Sequence, residues 1–348
     1  MSQVSYAAWM RHQLLGWSHG YYRHYAKIGG VAADFFTASH SVLFAEVIFR
    51  FCEQWVTEEK LKDFQIVEFG PGEGYLAYYL ISNWAERLQH IPLYYQCVEP
   101  SPRLRQHQEE RLRPLQGRGN VYISFSTPFE VLKNRSTLVL ANEVLDALPV
   151  ERVKKSSDGW YRAYVNLSNE QPAVDIDWRK APGWLAILCE RWLPIPVGAY
   201  GEFCPELCTL LAQMCHLAHQ GRCLLFDYGI TSRDWASGAY PEGTLRGYRQ
   251  HQLVDISKDS SFQGDWTADV HWDYVNHLVR RLGFASRMQT QAEFLLEGGL
   301  LEIIEMQQKN LSEFSAYQMR NEAKRLLWPG DMGERFSVMT IEPIKKYT

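Results

Sequence analysis

Gln65-Ile66-Val67-Glu68-Phe69-Gly70-Pro71-Gly72-Glu73-Gly74-Tyr75-Leu76 is the stretch that decides the fold. Its apolar opening, Ile66-Val67, suits a buried strand. The chain then breaks into glycines at 70, 72 and 74. It resumes with Tyr75-Leu76-Ala77-Tyr78-Tyr79-Leu80-Ile81, which has helix length and helix-compatible residues. Strand, glycine-rich turn and helix, in that order, form the context in which a glycine motif carries meaning. Glycines remove side chains where the backbone turns sharply and a ligand lies against it. The helix N-terminus beyond offers free N–H groups and a positive dipole end.

The spacing is G-x-G-x-G and not G-x-G-x-x-G, and Pro71 stiffens the turn. Glu68 sits at the strand end. A second short strand, Tyr94-Tyr95-Gln96-Cys97-Val98, ends in Glu99. A carboxylate there can accept both hydroxyls of a ribose, as in dinucleotide folds. No Gly-Lys-Ser/Thr follows the glycines, so no P-loop phosphate clamp is present. A ribose carboxylate without a phosphate site points to S-adenosylmethionine (SAM) more than to a nicotinamide dinucleotide. A plain tight turn is the other reading of Gly70 to Gly74; Glu99 in register favours the cofactor.

Working outward, the 348 residues are 46% hydrophobic and 22% charged, an ordinary globular balance with room for a large core. A net charge of −4 carries no nucleic-acid signal. The odd count of 7 cysteines, with no signal peptide in view, argues for reduced thiols and a cytoplasmic location. A transit peptide is not expected either, since Met1 to Gly20 holds Arg11 and no run of arginines. Cys204, Cys208, Cys215 and His216 lack zinc-site spacing and read as core residues of a helix. No run of 18 apolar residues exists, so no membrane span is expected. The sequence sets no oligomeric state.

Upstream, residues 4 to 28 read as a helix packing onto the main domain. Asp34-Phe35-Phe36-Thr37 then leads into an apolar helix, Val42 to Trp55, capped by Ser39 or Ser41. Ahead of that helix the segment is either a packed loop or a lid over a cofactor. Downstream, Ser101 caps a charged helix with Pro102 at its first position, and that helix reads as a solvated face. Phe129 falls near where an adenine lies in this fold. The buried strand Ser136–Ala141 delivers Asn142, Glu143 and Asp146 to its carboxyl end, where ligands of open α/β sheets bind. A helix cap accounts for Asn142 but not for both acids. Arg152–Lys155 and Trp160–Val165 read as a hairpin about Ser156-Ser157-Asp158-Gly159. Arg222–Phe226 is a further strand, ending in Asp227. Residues 243–249 and 265–272 read as polar, aromatic loops. The organisation expected is one α/β domain: a helical segment 1–60, a cofactor-binding half 61–150, an insertion 151–220 walling a substrate cleft, and a C-terminal half 221–348.

Several runs together resemble the MidA (DUF185) family of SAM-dependent methyltransferases, whose mitochondrial member is a complex I assembly factor. They are Asp34-Phe35-Phe36-Thr37, Glu68–Gly74, Val98–Arg105, Ala141-Asn142-Glu143 with Asp146-Ala147-Leu148-Pro149, Asp227-Tyr228-Gly229, Gly243–Arg249, Asp265–Val270 and Met332–Phe336. The Asn-Glu…Asp-Ala-Leu-Pro and Gly-Thr-Leu-Arg runs are specific, and the glycine motif alone is not. Tyr75 stands where the family commonly has a small residue. The resemblance implies a Rossmann-like, seven-stranded class I methyltransferase sheet with a substrate-shaping insertion, and methylation of a protein arginine. The expected cofactor contacts are Glu68, Gly70, Gly72, Gly74, Glu99, Asn142 and Thr37. Glu143 is expected to orient the substrate, with Asp146 and Asp227 behind it. The competing readings are a SAM-binding assembly protein with little or no methyl transfer, and a small-molecule methyltransferase.

Overall fold

The computed structural model describes residues 3–18, 20–26, 37–126, 135–167, 175–249, 252–254, 264–309, 311–329 and 332–344. The chain packs as two compact units. The first comprises residues 1–36, 145–211 and 229–278; the second, residues 37–144, 212–228 and 279–348.

The second unit is built on a mixed sheet. Its strands are β1 (Phe64–Phe69), β2 (Leu93–Val98), β3 (Val121–Ser126), β4 (Thr137–Asn142), β5 (Arg222–Ile230), β6 (Phe284–Thr290) and β7 (Phe336–Pro343). The order across the sheet is β3-β2-β1-β4-β5-β7-β6. Strands β1 to β5 pair in parallel, and β7 runs antiparallel to both β5 and β6. The end of β5, Gly229–Ile230, takes on an eighth short strand, Val270–His271, so the sheet has one strand beyond the expected seven. Chain direction across the sheet reverses between β1 and β4, and in open α/β sheets such a switch point opens a ligand crevice at the carboxyl ends.

All six residues of β1 are buried. The Phe64 ring stacks on Trp84 at 5.3 Å and meets the edge of Trp55 at 5.1 Å. Those tryptophans belong to α1 (Val42–Glu58) and α2 (Tyr75–Arg87), which cover this face. Ser41 is the α1 cap, its hydroxyl accepting from Phe44 N at 3.1 Å. Helix α3 (Pro102–Leu112) starts as expected, with Ser101 Oγ accepting from Leu104 N. It is not merely a solvated face: Leu104, Gln108 and Leu112 form a buried stripe, and Gln108 is 0% exposed. The expected closing strand pair is β6 with β7. A Thr290/Glu293 capping box ends β6 and opens helix Gln291–Glu297, which is followed by helices Leu300–Gln308 and Glu313–Leu327.

In the first unit, helix Tyr6–Leu15 buries Tyr6, Trp9, Met10 and Leu14 against Val150, Ala163, Val165, Trp266 and Ala268. The expected hairpin is present: Glu151–Ser156 and Gly159–Asn166 pair antiparallel, closing at Ser156 and Gly159. The expected loops at 246–249 and 265–267 are instead antiparallel strand partners, with Trp266 fully buried between flanking polar residues. Cys215 is buried as expected, Cys204 is half-buried and Cys208 is exposed. Among the described residues no group of His, Cys, Asp or Glu is placed to hold a metal, and no helix is long and apolar enough to cross a membrane.

Candidate cofactor and substrate site

The glycine turn closes the carboxyl end of β1. Gly70, Gly72 and Gly74 have φ of 60°, 57° and 79°, a region that side chains rarely adopt. Gly70 N donates to Val98 O at 3.0 Å, tying the turn to the end of β2, and Gly74 caps α2. A Cβ on Gly70 would stand 2.9 Å from Val144 Cγ2, and one on Gly74 would stand 3.3 Å from Gln108 Cγ. Backbone angle favours glycine at all three positions, and close approach adds to it at Gly70 and Gly74.

Two carboxylates lie under this turn. Glu68 accepts from Tyr95 Oη at 2.7 Å, and Glu99 Oε1 accepts from Ser101 N at 2.8 Å. Burial pushes the Glu68 carboxyl up to about 7; the Tyr95 hydrogen bond opposes this and Glu99 adds to it. Burial likewise pushes Glu99 up to about 7, against the Ser101 backbone, the Gln108 amide, the Arg105 charge and the Gly72 backbone. A raised carboxylate pKa means that the native state keeps a proton the unfolded chain has lost. Stability is then fully present below the unfolded value of 4.5, falls as pH rises towards about 7, and stays low above it. Glu68→Gln, which still accepts from Tyr95, is expected to be near neutral at about pH 5 and stabilising by roughly 2–3 kcal/mol at about pH 8. Chemical denaturation at the two pH values checks this; equal effects at both would contradict it.

Helix α3 grips the turn from the side. Gln108 Nε2 donates to Gly72 O at 2.7 Å and Arg111 Nε to Glu73 O at 2.8 Å, while Arg105 donates to Glu99 O at 2.9 Å. The Arg111 guanidinium lies 3.5 Å from the centre of the Tyr75 ring, and His40 packs on that ring at 4.0 Å. Tyr75, the departure from the family pattern, is thus held between two neighbours beside the glycines. Burial, then the Arg111 charge, brings His40 down to about 4, so it is a neutral imidazole at neutral pH.

At the end of β4 the chain places Asn142 and Glu143 side by side. Glu143 has φ 53°, one of three described non-glycine residues with positive φ. Its N–H donates to Phe226 O at 2.8 Å, which fixes this turn to β5. Glu143 Oε1 accepts from Thr37 Oγ1 at 2.6 Å and from Asn142 Nδ2 at 3.1 Å. Asn142 Nδ2 also reaches Thr37 Oγ1 at 3.2 Å. A carboxylate only accepts, so the amide must turn Nδ2 towards Glu143. That leaves Asn142 Oδ1 buried with no hydrogen-bond partner.

The structure thus gathers Thr37, Asn142 and Glu143 into one group, and Gly70, Gly72, Gly74, Glu68 and Glu99 into a second, both at the carboxyl ends of the sheet. The other two predicted residues are both buried. Asp227 is fully buried and accepts from Tyr228 N at 2.9 Å. Phe226 pairs with Asn142 and packs its ring on Phe44 and Phe294, so Asp227 points to the opposite face. Asp146 is buried in the first unit, where its carbonyl accepts from Ala268 N. Phe35, Phe36 and Phe129 lie outside the described residues. Sequence reasoning missed Gln108, Arg111 and His40. A groove of about 1210 Å³ opens elsewhere in the second unit, lined by Arg50, Phe51, Arg222 and Arg287 among others, and includes none of the predicted residues.

Residues 43–289 match the family described as "Putative S-adenosyl-L-methionine-dependent methyltransferase". The chain belongs to that family. This methyltransferase is similar over 98% of its length, at 26% identity, to the Xenopus laevis protein named "Protein arginine methyltransferase NDUFAF7, mitochondrial", 81% of which is covered. The Homo sapiens protein of that name is 24% identical over 98% of this chain and 80% of its own. A Burkholderia thailandensis protein described as a "likely methyl transferase", bound to S-adenosyl-homocysteine, has a TM-score of 0.84 at 24% identity, covering 98% of this chain and 88% of that one. That likeness establishes the fold. The relatives' mitochondrial names overturn the cytoplasmic expectation, which had rested on the cysteine count and the lack of a recognisable targeting signal. The methyltransferase's cofactor is SAM, and the residues present fit it. The glycines at 70, 72 and 74, a buried carboxylate at the end of β2 and an unpaired acceptor on Asn142 are complementary to a ribose and an amino-acid tail.

Proposed function

We propose that this methyltransferase places the methyl group of SAM on a guanidinium nitrogen of a protein arginine. The observation that carries the reading is Glu143, a carboxylate at the end of β4 whose backbone sits in a costly region and whose Oε1 is tethered by Thr37 and Asn142. Strained positions persist where the surroundings over-determine them, and they cluster at active sites. The names of the relatives support the same acceptor.

The cofactor supplies an activated methyl on a sulfonium, which leaves as a neutral thioether. The chain's own part is placement and electrostatics. Glu143 pairs with the planar guanidinium, draws its positive charge away from the attacking nitrogen and is placed to take the N–H proton that nitrogen gives up as the N–CH3 bond forms and the S–CH3 bond breaks. Gly70, Gly72 and Gly74 receive the cofactor's backbone-facing edge, Glu99 its ribose hydroxyls, and Asn142 Oδ1 a donor from its tail. Thr37 acts by holding Glu143 and Asn142. Glu68 sits below Glu99 and shares its field. Asp146 and Asp227 are secondary candidates, and residues 151–220 the candidate for shaping the acceptor.

The test is incubation with methyl-labelled SAM and a protein extract, followed by complete digestion to amino acids. Label in methylarginine is expected. Label in methyl-lysine, or only in small molecules, would contradict the reading.

A further inference from the structure

Gln108 is the one fully buried polar side chain of a helix whose sequence reads as charged and solvated. Its Nε2 donates to Gly72 O at 2.7 Å and, over a longer 3.4 Å, to Glu99 Oε2. A backbone carbonyl only accepts, so the amide cannot be turned round without setting its oxygen against Gly72 O. Its own Oε1 is left buried and without a hydrogen-bond partner. The contact is tight on the other side too, because a Cβ on Gly74 would meet Gln108 Cγ at 3.3 Å. Gln108 thus adds crowding to the positive φ that already favours glycine at the motif's third position, whatever lies in the cradle. In a trans peptide the N–H points away from the C=O. Holding Gly72 O therefore fixes the direction of the Glu73 N–H in the turn.

We propose that Gln108 is a positioning residue for cofactor recognition, one amide that locks the Glu99 carboxylate and the Gly72–Glu73 peptide into a common register. The proposal rests on reading Glu99 and residues 70–74 as the SAM site. Its further content is that ribose recognition depends on a donor from α3 that keeps Glu99 an acceptor on both oxygens. The groups facing Glu99 are Glu68 from β1, Cys97 from β2, and Arg105 with Gln108 from α3. Glu68 and burial favour the protonated acid; Gln108 and Arg105 oppose it. Without Gln108 the balance moves towards the protonated form, which offers one acceptor fewer to the ribose.

The experiment is calorimetric titration with S-adenosyl-homocysteine at about pH 6.5 and about pH 8.5, on the wild type, Gln108→Leu and Gln108→Glu. Wild-type affinity is expected to rise with pH. Gln108→Leu is expected to lose about tenfold at the higher pH and more at the lower. Gln108→Glu sets a second carboxylate against Glu99. It is expected to show the reverse trend, weakest at high pH and recovering as a proton is shared. That inversion does not follow from a merely structural fault, and it remains readable should the leucine variant fail to fold. A glutamate variant with the wild-type profile, or with one constant loss at both pH values, would overturn the proposal and leave the cofactor site standing. No binding by the wild type at either pH would overturn the cofactor reading and this proposal with it.

Discussion

Glu143→Gln is expected to lower methyl transfer by about 10²–10³-fold while S-adenosyl-homocysteine binding stays within about threefold of wild type. Glu143 Oε1 accepts from both Thr37 Oγ1 and Asn142 Nδ2, so the variant's amide must keep its one oxygen there. Its nitrogen then takes the position of Oε2 and presents donors to a guanidinium that itself has only donors. Charge and hydrogen-bond sense are both lost, with almost no change of shape. The left-handed backbone at 143 costs Gln much what it costs Glu, so folding is expected to survive. Single-turnover transfer from labelled SAM, beside a binding titration, separates the two effects. Full turnover with the cofactor bound would remove Glu143 from the account.

Gly70→Val is expected to weaken S-adenosyl-homocysteine binding by at least about 100-fold and to cost roughly 2–4 kcal/mol of stability. The backbone there has φ 60°, which a β-branched residue adopts only under strain, and its Cβ would stand 2.9 Å from Val144 Cγ2. Gly117→Ala is the control. Its φ is 76°, but a Cβ there meets nothing within 4 Å. About 1 kcal/mol of stability should go, with binding untouched. If the two variants lose stability in that pattern but bind alike, residues 70–74 are a structural turn and no cradle.

These two sites were legible in sequence for a definable reason. Around 65–76 the strand, the glycines and the helix are local signals, each readable without knowing what packs on what. At 136–146, polar residues follow an apolar strand, and position in an α/β sheet gives them meaning. Helix α3 reads as solvated because polar residues usually face water. Its period carried the correction: Leu104, Gln108 and Leu112 recur at i, i+4 and i+8, which places the glutamine on the buried stripe. Gln108 is buried because Gly72 O and Glu99 satisfy it, and those partners are remote in sequence. The strands at 246–249 and 265–267 were hidden by length, since three or four residues are too few to show a period of two. Thr37, read as a cofactor contact, also holds Glu143, a contact across more than a hundred residues that no local pattern announces.

If Glu99 and the 70–74 turn hold SAM, calorimetric titration of the wild type and Glu99→Ala with SAM and S-adenosyl-homocysteine will separate the two proteins. Wild-type dissociation constants on the order of micromolar are expected, weakened at least about 30-fold in Glu99→Ala through the lost ribose hydrogen bonds. Wild-type protein that binds neither compound, or a Glu99→Ala variant that binds both as tightly as the wild type, would contradict that assignment.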